Sequence, residues 1–122
     1  APAPAAAPAP QPVPRNYLVF FDFDKSDLTP DARQIVKLAA DNAKKGGISR
    51  IHLIGHADRS GPAAYNMALS QRRASSVQTA LTADGVTAGQ ISSEARGETD
   101  PLVPTADGVR EPQNRRVEII FR

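Results

Sequence analysis

Residues 50–58 read RIHLIGHAD, and this stretch predicts a short strand that ends beside a carboxylate. Its aliphatic residues favour a strand, and the turn formers Ser60-Gly61-Pro62 end the pattern. Asp58 is therefore predicted just past the carboxyl end of a strand that spans Arg50 to His56.

A helix is predicted to follow, over about residues 65–83. Ala74, Val77 and Leu81 recur at steps of three and four residues, which is the spacing of one helix face. Asp84-Gly85 is typical of a helix end. The strand and this helix form the central unit of the predicted fold.

Arg73 is predicted to lie on the inner side of that helix. At about 100° per residue, it shares a face with Asn66, Leu69 and Val77. Arg72 points toward water instead. Of the two adjacent arginines, only Arg73 is positioned for a site.

Asp58 and Arg73 place one acid and one base where both could bind a single zwitterion. An Arg guanidinium pairs with a carboxylate through two parallel hydrogen bonds, and an ionised Asp accepts hydrogen bonds from an ammonium. The alternative is a salt bridge between the two side chains that only holds the loop to the helix. Exposed pairs of that kind are common and contribute about 0 to 1 kcal/mol.

An apolar run over residues 17–23 predicts a first strand that is covered on both faces. Thr29 then supplies an N-cap before Pro30, and the helix that follows is predicted to close at the Lys-Lys-Gly-Gly run of residues 44–47. Its apolar stripe is predicted to contain Ile35, Leu38 and Ala39.

Two further strands are predicted toward the carboxyl end. Residues 91–96 favour a weak strand at a sheet edge, and residues 115–121 favour a stronger one in which apolar residues alternate with Arg116 and Glu118. The prolines between them predict a packed but irregular excursion. The order of the predicted strands and helices along the chain indicates an α/β (α+β) fold, a βαβαβ-β sandwich with two main helices packed on a mixed sheet.

The composition is that of one ordinary globular domain. The chain has 122 residues, of which 40% are hydrophobic and 23% are charged. Its net charge of +2 does not indicate any particular class of binding partner. There is no cysteine for a disulfide or a thiol catalyst, and no run is long enough for a membrane helix. We predict no cofactor.

Residues 1–15 are predicted to be a linker ahead of a domain that covers residues 16–122. Ala and Pro make up almost all of residues 1–14, with prolines at positions 2, 4, 8, 10, 12 and 14. Such a tract is either an extended polyproline-like spacer, at about 3.1 Å per residue, or a disordered tail. In either form, the tract would act as a linker attached to a folded domain.

No metal site is predicted. Residues 22–26 begin like a calcium loop, but Asp27 stands where the turn needs a glycine and Arg33 stands where the loop needs its closing glutamate. His52 and His56 lie about 13 Å apart along a strand, too far to share one ion. We assign His56 a structural role.

Catalysis and nucleic-acid binding are both disfavoured. No Gly-x-Ser-x-Gly elbow is present, and nothing in the sequence brings two carboxylates together across a cleft. Aromatic residues make up only 5% of the chain and are concentrated near its start, so no stacking platform for bases is apparent. We predict a binding protein without catalytic residues.

Several short motifs stand in one order along these elements. They are Phe21-Asp22-Phe23-Asp24-Lys25-Ser26, Gly55-His56-Ala57-Asp58, Gly61, Asn66, Leu69-Ser70, Arg73-Ala74, Gly97-Glu98, Pro101 and Asn114-Arg115-Arg116-Val117-Glu118. In this order they resemble the peptidoglycan-binding domain shared by outer-membrane protein A, the peptidoglycan-associated lipoprotein and the flagellar stator protein. The resemblance covers roughly residues 17–121 and implies the same α/β architecture.

The resemblance implies a ligand, because the family binds the meso-diaminopimelate of peptidoglycan stem peptides noncovalently. Asp58 would take the free ammonium of that residue, and Arg73 the carboxylate at its far end. Ala57 stands where the family often has Thr, and Ser60 is an alternative donor. The ligand-binding residues implied in this way are Asp24, Ala57, Asp58, Ser60, Asn66, Leu69 and Arg73.

The resemblance also implies a place in the cell envelope. The domain would lie on the periplasmic side of the Gram-negative outer membrane and tether that membrane to peptidoglycan. Contact with the membrane would come only through an anchor ahead of Ala1. Asn114, Arg115 and Arg116 look mainly structural in the motif, although one arginine could line the rim of the pocket.

Overall fold

The computed structural model describes residues 13–122, and it contains two helices and four strands. In chain order they are β1 (Asn16–Phe20), α1 (Pro30–Lys45), β2 (Ile51–His56), α2 (Ala63–Ala83), β3 (Ile91–Gly97) and β4 (Arg116–Phe121). Short 3₁₀ turns at Ala88–Gln90 and Pro112–Asn114 precede β3 and β4.

The four strands form one mixed sheet in the order β1-β4-β2-β3. β4 pairs antiparallel with both β1 and β2, whereas β2 and β3 are parallel and are joined by α2. Both helices pack on the sheet, and this confirms the predicted α/β (α+β) fold. β3 lies at an edge, as its small and polar residues predict.

The core lies between the helices and one face of the sheet. Its fully buried aliphatic members from the three central elements are Ile51, Leu53, Val77, Leu81, Val117 and Ile119. Burying such side chains stabilises the fold by about 1.5 to 3 kcal/mol each relative to their exposure to water.

The ends of α1 follow the prediction, but its buried face does not. The hydroxyl oxygen of Thr29 accepts a hydrogen bond of 3.1 Å from the N–H of Ala32, and Gly46 forms the C-cap. Leu38 was expected in the apolar stripe and is 48% exposed. It lies about 145° from the mean direction of the buried face, and that face is formed by Ala32, Val36, Ala39, Ala40 and Ala43.

The prediction that the first strand is covered on both faces is wrong. Tyr17 and Val19 are buried beneath the helices, while Leu18 and Phe20 are 37% and 44% exposed. Both helices pack on one face of the sheet, so the alternate side chains of an edge strand remain in water. The strand also ends at Phe20, earlier than predicted, because the chain turns over residues 22–25.

Arg116 departs from the predicted alternation of β4. Val117, Ile119 and Phe121 face the core, as expected, but Arg116 is itself buried on the opposite face of the sheet. The irregular segment after β3 covers it there, and its guanidinium donates a hydrogen bond of 3.3 Å to the carbonyl of Asp100. Asn114 holds the same segment through two hydrogen bonds of 2.8 Å with the backbone of Val103.

Most of the predicted linker, residues 1–12, lies outside the described residues. Val13 packs against the core, and the carbonyl of Arg15 accepts a hydrogen bond of 2.8 Å from the N–H of Phe121. Contacts with the domain are therefore in place from residue 13 onward, and the boundary at residue 15 stays a prediction. No helix within residues 13–122 is both long enough and apolar enough to span a membrane.

Candidate functional site

The site is set by the close approach of α2 to the end of β2. A side chain at Gly55 would place its Cβ 2.1 Å from the carbonyl oxygen of Ser70, so only glycine allows the two elements to meet there. The hydroxyl of Ser70 accepts a hydrogen bond of 3.0 Å from the N–H of Gly97, whose carbonyl accepts one of 2.8 Å from Ala57. These contacts fix Asp58 and Arg73 on neighbouring elements.

Asp58 is almost fully buried, with 5% of its side chain exposed. Its Oδ1 accepts hydrogen bonds from the N–H of Ser60 at 3.1 Å and from the hydroxyl of Ser60 at 2.5 Å. Its Oδ2 accepts one of 3.2 Å from the N–H of Glu111 and pairs with Nη1 of Arg115 at 3.3 Å. Burial alone would raise the pKa of Asp58, but the donors of Ser60, Glu111 and Arg115 together lower the pKa below its usual value.

Arg73 is the largest fully buried side chain among the described residues. Nε donates to the carbonyl of Lys25 at 2.9 Å, Nη1 to that of His56 at 3.0 Å and Nη2 to that of Asp22 at 3.2 Å. Its guanidinium carbon also lies 5.4 Å from the centre of the Phe21 ring. Burial lowers the pKa of Arg73 to about 10, so the side chain is still charged at neutral pH.

Asp58 and Arg73 are neighbours but not an ion pair. No guanidinium nitrogen of Arg73 lies within 4.0 Å of a carboxylate oxygen of Asp58, and the one ion pair that Asp58 makes within residues 13–122 is with Arg115. Nη1 of Arg73 nevertheless binds the carbonyl of His56, two residues before Asp58, and the charge of Asp58 opposes the lowering of the pKa of Arg73. The simple salt-bridge alternative is therefore wrong, because each charge has its own partners.

Arg115 is the residue of this site that sequence reasoning undervalued. Besides its contact with Asp58, its Nε donates to the carbonyl of Phe21 at 3.1 Å. Arg115 therefore joins the ends of β1 and β2 from a position just before β4. The signal that identifies it is topological, since the first residues of β4 meet the last residues of β2 only when the two strands run antiparallel.

The other predicted site residues are either buried around Asp58 and Arg73 or exposed at the surface. Ala57, Asn66 and Leu69 are buried, and the side-chain amide of Asn66 donates to the carbonyl of Gly61 at 3.3 Å. Asp24 is exposed and accepts a hydrogen bond from the hydroxyl of Tyr65 at the surface.

Arg72 is exposed, as predicted, with its guanidinium carbon 5.7 Å from the centre of the Tyr65 ring. The structure thus buries Asp58 and Arg73, leaves Ser60 half-buried beside Asp58 and places Asp24 at the surface.

His56 faces the opposite side of the sheet from Arg73, although its carbonyl accepts from that residue. Its Nε2 lies 3.1 Å from a carboxylate oxygen of Glu118, and its buried Nδ1 has no hydrogen-bond partner among residues 13–122. Burial and the nearby charge of Arg116 lower the pKa of His56, while Glu118 opposes the change. No group of three His, Cys, Asp or Glu side chains within the described part of the chain could hold a metal ion.

Comparison with known proteins identifies the family to which this arrangement belongs. The sequence profile of the OmpA family matches residues 20–115, which include Asp58, Arg73 and Arg115. The chain belongs to the OmpA family. An outer membrane protein of Gluconacetobacter diazotrophicus is 52% identical over 113 residues, which are 88% of this chain and 30% of that protein.

Solved structures of OmpA-like domains share the fold. The peptidoglycan-associated lipoprotein of Burkholderia pseudomallei has a TM-score of 0.78 and 29% identity, over 89% of this chain and 91% of that one. The cell wall anchor of the T6SS from Pseudomonas aeruginosa has a TM-score of 0.68 and 27% identity, over 88% and 82%. The OmpA-family domain spans between 30% and 60% of the length of the curated relatives it matches first.

Proposed function

We propose that this domain binds peptidoglycan noncovalently, through the meso-diaminopimelate of the stem peptide, and tethers the outer membrane to the cell wall from its periplasmic side. Asp58 takes the free ammonium of that residue, and Arg73 takes the adjoining carboxylate. The observation that carries the proposal is the burial of two opposite charges side by side without an ion pair between them. The domain binds and performs no reaction.

The hydrogen bonds of Asp58 suggest how an ammonium enters. An ionised carboxylate has about four acceptor positions, and Asp58 already has four donors. The contact with Arg115 is the longest of the four at 3.3 Å. A ligand ammonium therefore replaces Arg115 as the cation that faces Oδ2, and a buried cation is exchanged for another.

Arg73 has donors left for a carboxylate. Its guanidinium carries five N–H groups, and the carbonyls of Asp22, Lys25 and His56 occupy three of them. Because the side chain is fully buried, a ligand carboxylate reaches the other two only when the turn at residues 22–25 moves aside. Asp24 lies in that turn and accepts a hydrogen bond from Tyr65 of α2, so we place it at the edge of the bound ligand.

The names of the relatives support a wall-binding role. Three of the matched proteins are peptidoglycan-associated lipoproteins, and one solved neighbour is described as a cell wall anchor. A small polar ligand gives little net free energy after desolvation, so each pocket binds weakly. Many copies of the domain, each attached through its own linker, bind one polymeric wall together and so gain avidity.

Sedimentation with purified sacculi tests the proposal. Asp58→Asn removes the charge that faces the ammonium, and we expect it to weaken pelleting by at least about 30-fold, since a desolvated charge on the ligand loses its partner. Asp27→Asn, an exposed aspartate outside the site, is the matched control and should pellet like the parent. Equal pelleting of both variants and the parent would reject the assignment of Asp58.

A further inference from the structure

The end of the sheet opposite the site carries an exposed cluster of positive charge. It consists of Arg15, Lys44, Lys45, Arg50 and Arg122, which we call the basic pole. Backbone hydrogen bonds hold three of them at the ends of adjacent strands, from Phe121 N–H to the carbonyl of Arg15 at 2.8 Å and from Arg122 N–H to that of Arg50 at 2.9 Å. The lysines end α1 beside them, and Lys44 donates to the carbonyl of Asp84 at 2.6 Å.

The charge of the basic pole is not neutralised by the domain itself. None of its five side chains makes an ion pair within residues 13–122. Two acids lie next to it: Asp41 is one turn before the lysines, and the carbonyl of Asp84 accepts a hydrogen bond from Lys44. Glu118, four residues before Arg122, pairs instead with His56 and Arg116. Five exposed cations therefore face water with two acids beside them, although the whole chain has a net charge of only +2.

Three strands of the sheet connect the basic pole with the candidate site. β1 starts after Arg15 and leads to Phe21, whose carbonyl binds Arg115. β2 starts after Arg50 and leads to Asp58, and β4 runs the other way. A strand of six residues is about 20 Å long, so the basic pole and the site lie at opposite ends of the domain.

We propose that the basic pole docks on an anionic phospholipid surface. Lysine and arginine side chains that project from one end of a rigid domain are attracted to lipid phosphates, with a gain of roughly fivefold in affinity per cation. The described chain enters the domain at this same end, through residues 13–15 just ahead of β1. Docking there directs Asp58 and Arg73 away from the membrane. This inference uses the proposed function only for the direction that the site faces.

Vesicle pelleting at low ionic strength tests the docking surface. The probes are vesicles of phosphatidylcholine alone and of phosphatidylcholine with phosphatidylglycerol in equal parts. The test variant combines Arg15→Gln, Arg50→Gln and Arg122→Gln, whose contacts within the domain are made by backbone atoms. The control combines Lys25→Gln, Arg72→Gln and Arg110→Gln, three exposed cations outside the pole, and it removes the same charge.

The parent should pellet with the phosphatidylglycerol vesicles and not with phosphatidylcholine alone. Binding should fall as NaCl rises from about 50 to about 500 mM, because the Debye length shortens severalfold over that range. The pole variant should bind about 100-fold more weakly, and the control within about threefold of the parent. Failure of the parent to bind, or an equal loss in the control, would overturn the proposal.

A second readout separates this proposal from the wall-binding site. The pole variant should pellet with sacculi as well as the parent does, and Asp58→Asn should retain its vesicle binding. A pole variant that keeps its vesicle binding but loses sacculus pelleting, without a change in thermal unfolding, would show that the basic pole serves the wall and would overturn docking on lipid.

Discussion

Asp58 and Arg115 form an ion pair of 3.3 Å that joins the loop after β2 to the residue before β4. The pair lies at the end of the sheet that holds the candidate site, and it adds to the hydrogen bonds from Ser60 and Glu111 that lower the pKa of the buried Asp58 carboxyl. Arg115 is thereby a positioning residue for Asp58.

Replacing Arg115 should therefore raise the pKa of Asp58. In Arg115→Gln the carboxylate keeps its donors from Ser60 and Glu111 but loses the nearby positive charge, so burial opposes ionisation more effectively. A carboxyl carbon titration by NMR would measure the change. Arg110→Gln, which removes an exposed guanidinium stacked on Phe23 at 3.6 Å, is the control. An unchanged titration of Asp58 in Arg115→Gln would contradict the role assigned to the pair.

Adjacent arginines on α2 should differ sharply in their contribution to stability. Arg73→Lys keeps a buried charge but cannot reproduce three divergent hydrogen bonds to the carbonyls of Asp22, Lys25 and His56, and we expect a loss of about 2 to 4 kcal/mol. Arg72→Lys, on the exposed side of the helix, should change the free energy of unfolding by less than about 0.5 kcal/mol. Urea unfolding measures both, and similar losses in the two variants would argue against the buried geometry.

Position 55 should not tolerate a side chain as small as one methyl group. In Gly55→Ala the Cβ would stand 2.1 Å from a backbone oxygen of α2, so strand and helix must separate, at a cost of at least about 3 kcal/mol. Gly89→Ala is the matched control, since nothing lies within 4 Å of its added Cβ. Thermal unfolding should show a large decrease for the first variant and little change for the second. Equal midpoints would mean that α2 does not approach β2 this closely.

The stability of the domain should fall in mildly acidic solution because of His56. Its folded pKa lies below the unfolded value of 6.5, so between the two values the unfolded chain binds a proton that the folded chain does not. The stabilisation is fully present above pH 6.5 and is lost as the pH falls through 6.5 toward the folded pKa. The lowered pKa of Asp58 acts separately, below its usual value of 3.8.

Urea unfolding from about pH 8 to about pH 5 measures the effect of His56. His56→Gln should flatten this part of the profile, because a glutamine has no proton to bind. A profile in the variant as steep as that of the parent would assign the pH dependence to other groups.

The local sequence predicted the elements but not what covers them. Helix α1, strand β2 and helix α2 follow from apolar periodicity, caps and turn formers, and all three lie within two residues of the predicted bounds. Whether Phe20 or Arg116 is covered depends instead on where the helices and the segment after β3 pack, which periodicity does not encode.

The same limit applies to the site. Its members Asp58 and Arg73 are marked by motif and helix face, and the structure places them on neighbouring elements. Their partners are backbone carbonyls of the 22–25 turn and a guanidinium that arrives through the antiparallel pairing of β4. Such long-range partners follow from topology, and no local pattern around residues 58 or 73 reveals them.

The most direct test of the proposed headgroup recognition is an NMR titration with two stem tetrapeptides that differ at one group. One contains meso-diaminopimelate at its third position and the other contains L-lysine, which has the ammonium but not the second carboxylate. The diaminopimelate peptide should shift the amides of Asp24, Ala57, Asp58, Asn66 and Arg73, and the lysine peptide should bind at least about 30-fold more weakly because Arg73 is left without a partner. Equal affinity for the two peptides, or shifts confined to residues outside the site, would contradict the account.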